Sequence, residues 1–575
     1  MTAVPGPFGG VMNKHRIVAA ALLVAVVVGF AWYLQSAGRR PAETAEAPPP
    51  PTIPGASILE GLEGYDYPVT ANAEAQRWFN QGMVLTWGFN HDAAARSFLM
   101  GTAADPGCAM CWWGAALVLG PHVNAPMAPE DVPRAWARLQ NALERVDTVT
   151  PRERAYIEAL AARYAEQSGD DRSALDKAWA EAIGQVVAQY PDDLDAATLY
   201  AEALMDLQPW DYYDADGRPR GRTPEIIATL EAVMARDSGH PGALHLYIHA
   251  VEASDAPERG VAAADRLREV LPGAGHLVHM PAHIYTRVGR YHDAVVANQK
   301  AIEADDAYLA LCRPAPGVYP LGYVPHNHHY LWWAASMQGA GETALAAADE
   351  TAKRAWIPEL IREPTLIALQ DFWVTPLKAR VQFGRWDELL ATPAPPEDLA
   401  YPTAMWHFAR GMAHARTGDV DAAAQHLKAL SSAAADPAFE ALLIGPQHPL
   451  STTLRIAERL LAGTLAAQVG DGDAAIAAFE QGLALEDAAA YFEPPLWHAP
   501  VRQTLGAALL ADGRAADAEA VYREDLRRNP ENGWSLYGLE RSLRAQGRDA
   551  DADAARVRFE AAWSQADVRL DASRI

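Results

Sequence analysis

Gly513 and Gly547 stand 34 residues apart, and each closes a leucine-rich run: Leu509-Leu510-Ala511-Asp512-Gly513 and Leu543-Arg544-Ala545-Gln546-Gly547. Around the first of them, Gly506, Ala518, Tyr522 and Pro530 follow one another at intervals of 12, 4 and 8 residues. The same intervals connect Gly82, Ala94, Phe98 and Pro106. Gly463, Ala475 and Phe479 repeat the first two intervals, and Gly411 and Ala423 repeat the first. A period of this length is one helix–turn–helix pair. A single pair cannot bury both of its faces, so it must stack on its neighbours, with small Ala and Gly residues where helices approach closely. From about residue 70 the chain is rich in Ala and Leu, broken by short Gly, Asp and Pro turns, with few alternating β-branched runs. The expected class is all-α.

The pattern resembles the tetratricopeptide repeat (TPR) family, whose units carry Trp at position 4, Leu-Gly at 7 and 8, Ala at 20, an aromatic residue at 24 and Pro at 32. Leu505-Gly506, Ala518, Tyr522 and Pro530 fall at 7, 8, 20, 24 and 32, and Trp78 and Trp112 fall at 4 in consecutive units. The resemblance implies a TPR-like α-solenoid over residues 70–565, degenerate between 125 and 235, followed by a tail, 566–575. It also implies that one helix of each pair lines a concave groove suited to a protein or peptide partner. A fold that serves many functions does not name the partner.

The N-terminus reads as an address. Lys14 and Arg16 close a flank, residues 1–16, ahead of an unbroken apolar run from Ile17 to Leu34. Its 18 residues exceed the apolar core of most signal peptides and approach the minimum for a membrane span. The following Gln35-Ser36-Ala37 is a poor cleavage site, so an uncleaved signal-anchor over 17–34 is expected, with a cleaved signal as the alternative. The chain thus resembles long, membrane-anchored TPR proteins of bacterial type. Basic residues flank both ends of the run, so charge does not orient it. Export of the large following domain to the periplasmic or extracytoplasmic side is the expectation. Residues 35–69, with Arg39-Arg40 and Pro48-Pro49-Pro50-Pro51, form a stiff spacer. Net charge is −25, and residues 1–40 hold four bases and no acid, so the folded part is strongly acidic. That argues against nucleic acid as a partner.

Histidine is the informative residue type. Ten of the 18 lie between His240 and His329. In the repeat register, His245 and His249 take positions 5 and 9 of one unit. His276, His279 and His283 take 2, 5 and 9 of the next, and His326 and His329 take 2 and 5 of a third. In the family those positions look into the groove, so seven histidines are expected on one concave patch. Neutral imidazole is the commonest metal ligand and suits Zn and Cu. A divalent transition-metal site is therefore expected here. His245, His249, His279, His283 and His329 are its most convergent members, and Glu252 completes the shell, stands behind the ligands or acts as a base. Pro281 stands inside the middle helix, and its kink could turn His276 and His279 away from His283. A groove lined by hydrogen-bonding histidines with no metal is the alternative. His426 reads as a surface histidine.

An insertion, 309–324, adds Cys312, Tyr319 and Tyr323 beside the patch, and Trp333 is expected to face the groove. Tyr491-Phe492-Glu493-Pro494-Pro495-Leu496-Trp497-His498 forms an aromatic, proline-rich entry to a later helix. Cys108 and Cys111 open a helix as Cys-Ala-Met-Cys, either as a local disulfide or inert thiols, or as a redox or soft-metal motif with Met110. Phosphate-loop, dinucleotide, HExxH and GxSxG motifs are missing from the sequence. The expected function is a membrane-tethered repeat protein that binds a partner or ligand and carries a histidine-rich metal site. A metalloenzyme with Glu252 as base and a metal-free assembly scaffold are the alternatives.

Overall fold

The structure is a computed structural model that describes residues 53–169, 171–214, 217–445 and 447–574. Helices run from Ala73 to Ala562. The described residues contain no strand, only isolated bridges such as His122 with Ala125. Consecutive helices form hairpins, as in Ala73–Trp87 with His91–Ala104, Val324–Met337 with Gly341–Ala355 and Gly533–Ala545 with Asp549–Ala562. The fold is a TPR-like helical repeat.

The period is a set of physical contacts. The ring of Phe98 lies on Gly82 and Gly114, where an added Cβ would come within 2.5 Å of it. Tyr522 sits likewise between Gly506 and Gly538, at 2.4 and 2.2 Å. Each aromatic residue of a second helix thus fills a notch left by glycines of the same and the following hairpin. Seven residues after Gly411, Gly463 and Gly506 the hairpins turn at Gly418, Gly470 and Gly513, with φ of 89°, 83° and 78°. Glycine adopts this left-handed backbone without strain. Seven residues after Gly82 stands Phe89, with φ of 53°.

Two ends depart from expectation. The spacer was expected to extend to Val69, but residues 53–69 pack onto the helices. Leu59, Leu62 and Tyr67 are buried, the Leu59 N–H donates to Gln81 Oε1 at 2.8 Å, and the Tyr67 hydroxyl donates to Asp193 at 2.9 Å. The tail is tied down too, with Asp567 accepting from the Gly341 N–H at 2.6 Å and Leu570 buried. Both stretches lie across hairpins distant in the chain, with Gly61 accepting from the Gly273 N–H at 3.0 Å and Ser573 donating to the Gln503 carbonyl at 2.8 Å. The apolar run Ile17–Leu34 lies outside the described residues, among which no helix is long and apolar enough to cross a membrane. Cys108 and Cys111 are joined as a disulfide at the start of the helix Ala109–Leu117.

Two large cores result. One extends from Leu59 to Ala348, takes in Ala379, Phe383, Trp534 and Leu570, and contains the histidine-bearing helices, and the other has members from Ile367 to Ala555. They are joined where Trp333 Nε1 donates to the His498 carbonyl at 3.0 Å and Trp534 Nε1 to the Ser336 carbonyl at 2.8 Å.

Candidate metal centre

The helix Pro241–Val251 is buried on every side. Such a helix runs through the core rather than along a surface. Pro241 starts it at a position where the missing N–H costs nothing. His245 and His249, four apart, share one face. Gly242 is required because the Trp87 indole lies on it, 2.6 Å from where a Cβ would be. That contact sets the Trp87 carbonyl 2.6 Å from His245 Nδ1.

Pro281 breaks the next helix into Gly275–His279 and Pro281–Arg287, but Met280 between them keeps helical angles. The two pieces stay in line, and His276, His279 and His283 all face the chamber. His326 joins them from the helix Val324–Met337. Six of the seven expected histidines therefore converge. His329 does not. Three residues beyond His326, it lies about 60° round the helix. There it packs on Trp332 and Phe372, with ring centroids 5.0 and 5.2 Å away. Trp333 is buried beside Tyr330. The patch is not an open groove surface, since His245, His249, His276, His279 and His283 are at most 2% exposed.

The hydrogen bonds orient the rings. His245 Nδ1 is held by the Trp87 carbonyl, His249 Nδ1 by Glu252 Oε1 at 2.8 Å, and His283 Nδ1 by Glu252 Oε2 at 2.7 Å and by Glu493. His279 Nδ1 meets Asn298 Oδ1 at 2.7 Å, and the Asn298 amide nitrogen donates to the Ala294 carbonyl at 2.8 Å, which fixes that side chain with its oxygen toward the ring. All four rings therefore donate through Nδ1 and turn the lone pair of Nε2 inward. Acceptors placed in this way behind imidazoles are the usual companions of metal-binding histidines.

The ring nitrogens fall into two trios: His245, His249 and His276, and His279, His283 and His326. In the second, His279 Nε2 is 2.7 Å from His283 Nε2 and 3.2 Å from His326 Nε2. Two lone pairs facing each other at that distance repel unless a proton or a metal ion lies between them. Burial pushes the imidazoles toward the neutral, ligating form: His249 and His326 fall to about 3, and His245, His276 and His279 are also well below the ordinary value. Burial opposes protonation of His283 as well, but Glu493 and Glu252 outweigh it and raise it to about 10. A metal ion entering the His279–His283 gap must displace any proton held there.

Aromatic side chains seal the first trio. Phe89 has its centroid 4.5 Å from that of His245 and 5.6 Å from that of His276. Trp210 meets His249 edge-on at 5.2 Å. Both residues have positive φ, 53° and 60°, a backbone that costs a side-chain-bearing residue about 1–3 kcal/mol and recurs at functional sites. Tyr323 packs on His276 at 4.5 Å, and Tyr319 accepts from the His276 backbone N–H at 3.1 Å while donating to Asp305 at 2.8 Å. The insertion is thus part of the chamber wall. Asn124 links Trp210 and Tyr323, with an indole N–H at 3.2 Å and its own amide 3.0 Å from the hydroxyl.

On the other side a cleft of about 210 Å³ leads up to the second trio, lined by Arg287, Tyr330, Trp333, Glu486, Tyr491 and Glu493 among others. Tyr330 stacks on His283 at 5.0 Å. The Tyr491 hydroxyl lies 3.2 Å from Glu252 Oε2 and 3.3 Å from Glu493 Oε2, with one proton to share between them. Glu252 is fully buried with both oxygens engaged by imidazoles, so of the three roles expected for it the one it takes is behind the rings, orienting them. Glu493 is the carboxyl that faces both the cleft and a ring, and burial followed by Glu252 raises it to about 7. Sequence reasoning noticed its aromatic, proline-rich segment but did not connect it with histidines more than 160 residues earlier.

Glu486, deeper in the cleft, gives a test of this environment. Burial, with Asp525 adding to it, pushes its carboxyl from 4.5 up to about 8, against the Val501 N–H and Arg502. The folded chain holds the proton where the unfolded chain has released it. This contribution to stability is complete below about pH 4.5, is lost as pH rises to about 8, and is level beyond. Urea midpoints of Glu486→Gln are expected to fall less steeply than wild type across that window; parallel curves would refute the assignment.

No protein-family model matches the chain, and neither does any curated protein. Among solved structures it is similar to human IFIT1 as a dimer with m7Gppp-AAAA, at 10% identity and a TM-score of 0.31, covering 94% of each chain. It is also similar to the APC/C hetero-tetramer Cut9-Hcn1, at 15% identity and a TM-score of 0.30, covering 82% of this chain and 76% of that one. Overlays this loose place no residue of one protein on a residue of another.

Proposed function

We propose that the chain is a metal-binding TPR-like protein whose buried histidine chamber holds a divalent transition-metal ion, zinc or copper. The observation that carries this is the meeting of His279 and His283 through Nε2 at 2.7 Å, with both Nδ1 atoms committed as donors and His326 third at 3.2 Å. Three imidazoles suit zinc and copper alike. The full-length chain, purified without affinity histidines, is expected to take up Zn2+ or Cu2+ at neutral pH and to unfold at a higher temperature when loaded. Elemental analysis that finds no ion after exposure to either metal would refute it.

The cleft favours a second reading, a metal-dependent enzyme in which substrate reaches the second trio past Glu493. Glu493, rather than Glu252, then serves as the acid or base. Protein or peptide binding belongs to the outer surface in this reading, because the histidines are enclosed. Membrane attachment through Ile17–Leu34, with the repeats outside the cytoplasm, completes the proposal. The Cys108–Cys111 disulfide supports a compartment that tolerates disulfides.

A further inference from the structure

We propose that the chamber takes two ions per chain, one at His245, His249 and His276 and one at His279, His283 and His326, coupled through Glu252. This rests on the metal-binding reading and adds to it the number of ions and the link between them.

Distance separates the trios. Donor atoms within each lie within 4.8 Å of one another. Among the described residues the single grouping that crosses between them is His249, Glu252, His283 and Glu493. One ion with bonds of 2.0–2.1 Å spans at most about 4.2 Å between opposite donors, so it cannot gather both trios. The crossing set lies on the Nδ1 side of its two rings, where each N–H already has its carboxylate. Nothing there lacks a partner.

The first trio does lack partners. His245 Nε2, His249 Nε2 and both ring nitrogens of His276 are buried without a hydrogen bond. Each such atom is a desolvation cost if nothing fills the space between them. Phe89, Trp210 and Tyr323 wall off that space with rings, so polar protein groups do not meet the need. An ion held by inward-facing lone pairs does. The second trio presents a different chemistry, with Glu493 and Tyr330 against His283 and the cleft beyond. One site is enclosed and all-imidazole, and the other is beside carboxyl groups and nearer solvent.

Glu252 links them. It follows His249 by three residues at the end of one helix, and its second oxygen reaches His283 on another. An ion on Nε2 of either ring polarises the N–H opposite and strengthens its bond to the carboxylate. Filling one site therefore changes the acceptor on which a ring of the other depends.

The test counts ions. Full-length protein purified with detergent and without affinity histidines is stripped with chelator, loaded separately with Zn2+ and Cu2+, desalted and analysed for metal. Two ions per chain are expected in wild type and in His292→Ala, an exposed control. One is expected in His245→Ala and one in His326→Ala. Glu252→Gln should weaken both binding steps by about 10-fold or more, and Glu493→Gln only the step that His326→Ala removes. One ion, kept by both histidine variants, assigns the carboxylate-side set and overturns the proposal. One ion lost from a single variant overturns the two-site proposal and leaves metal binding standing. No ion overturns both. Circular dichroism checks that each variant retains its helices, with His245→Gln or His326→Gln replacing one that does not.

Discussion

His249→Ala and His283→Ala are each expected to lower metal affinity by more than about 100-fold, measured by competition against a chromophoric chelator. Removing a group behind a ligand already costs about 10–100-fold, and these two are the proposed ligands whose other nitrogens also bind Glu252. Each substitution removes a donor and frees a carboxylate oxygen inside the core. His292→Ala should bind as wild type. His426, a surface histidine on sequence grounds, is unsuited to that comparison because its Nδ1 lies 2.8 Å from His407 Nδ1 on the neighbouring helix. Affinities of the two variants within threefold of wild type would remove these residues from the site.

Phe98→Ala is expected to cost about 3–5 kcal/mol, the range for deleting a fully buried aromatic side chain. Phe98 has no exposed surface and fills the notch between Gly82 and Gly114, so no small movement closes the hole. Gly82→Ala attacks the same contact from the other side and should cost about 1–3 kcal/mol by overpacking. Val557→Ala, at a position 61% exposed, should stay within about 0.5 kcal/mol. Urea unfolding followed by helix signal ranks the three. A Phe98→Ala midpoint equal to that of Val557→Ala would show that the repeat contact contributes nothing.

What was legible in the sequence was whatever obeys the period. The interval from Gly82 to Phe98 is a contact, and so is that from Gly506 to Tyr522, so spacing alone located them. His249 and His283, 34 apart, recur for the same reason. What departs from the period was hidden. Phe89 occupies a turn position that other hairpins give to glycine, and only the fold shows its ring among the histidines. Trp210, Tyr491 and Glu493 arrive from loops whose register is set by nothing local. His329 was misplaced because the register fixes the face of a helix only to within one neighbouring position. Glu252 was seen as a possible ligand, but its second partner, His283, is 31 residues away.

The chamber is closed by segments far apart in the chain, and Tyr491 reaches back 239 residues to Glu252. During synthesis, at about 5–20 residues per second, roughly 10–50 s separate the appearance of the two. Throughout that interval the cleft side of the second trio lacks the part of its wall that Tyr491 and Glu493 supply. Copper outcompetes the other first-row divalent ions at such donors. On the metal-binding proposal, the ion that the finished protein carries then depends on where in the cell the last quarter of the chain folds over the histidines, as much as on the histidines themselves.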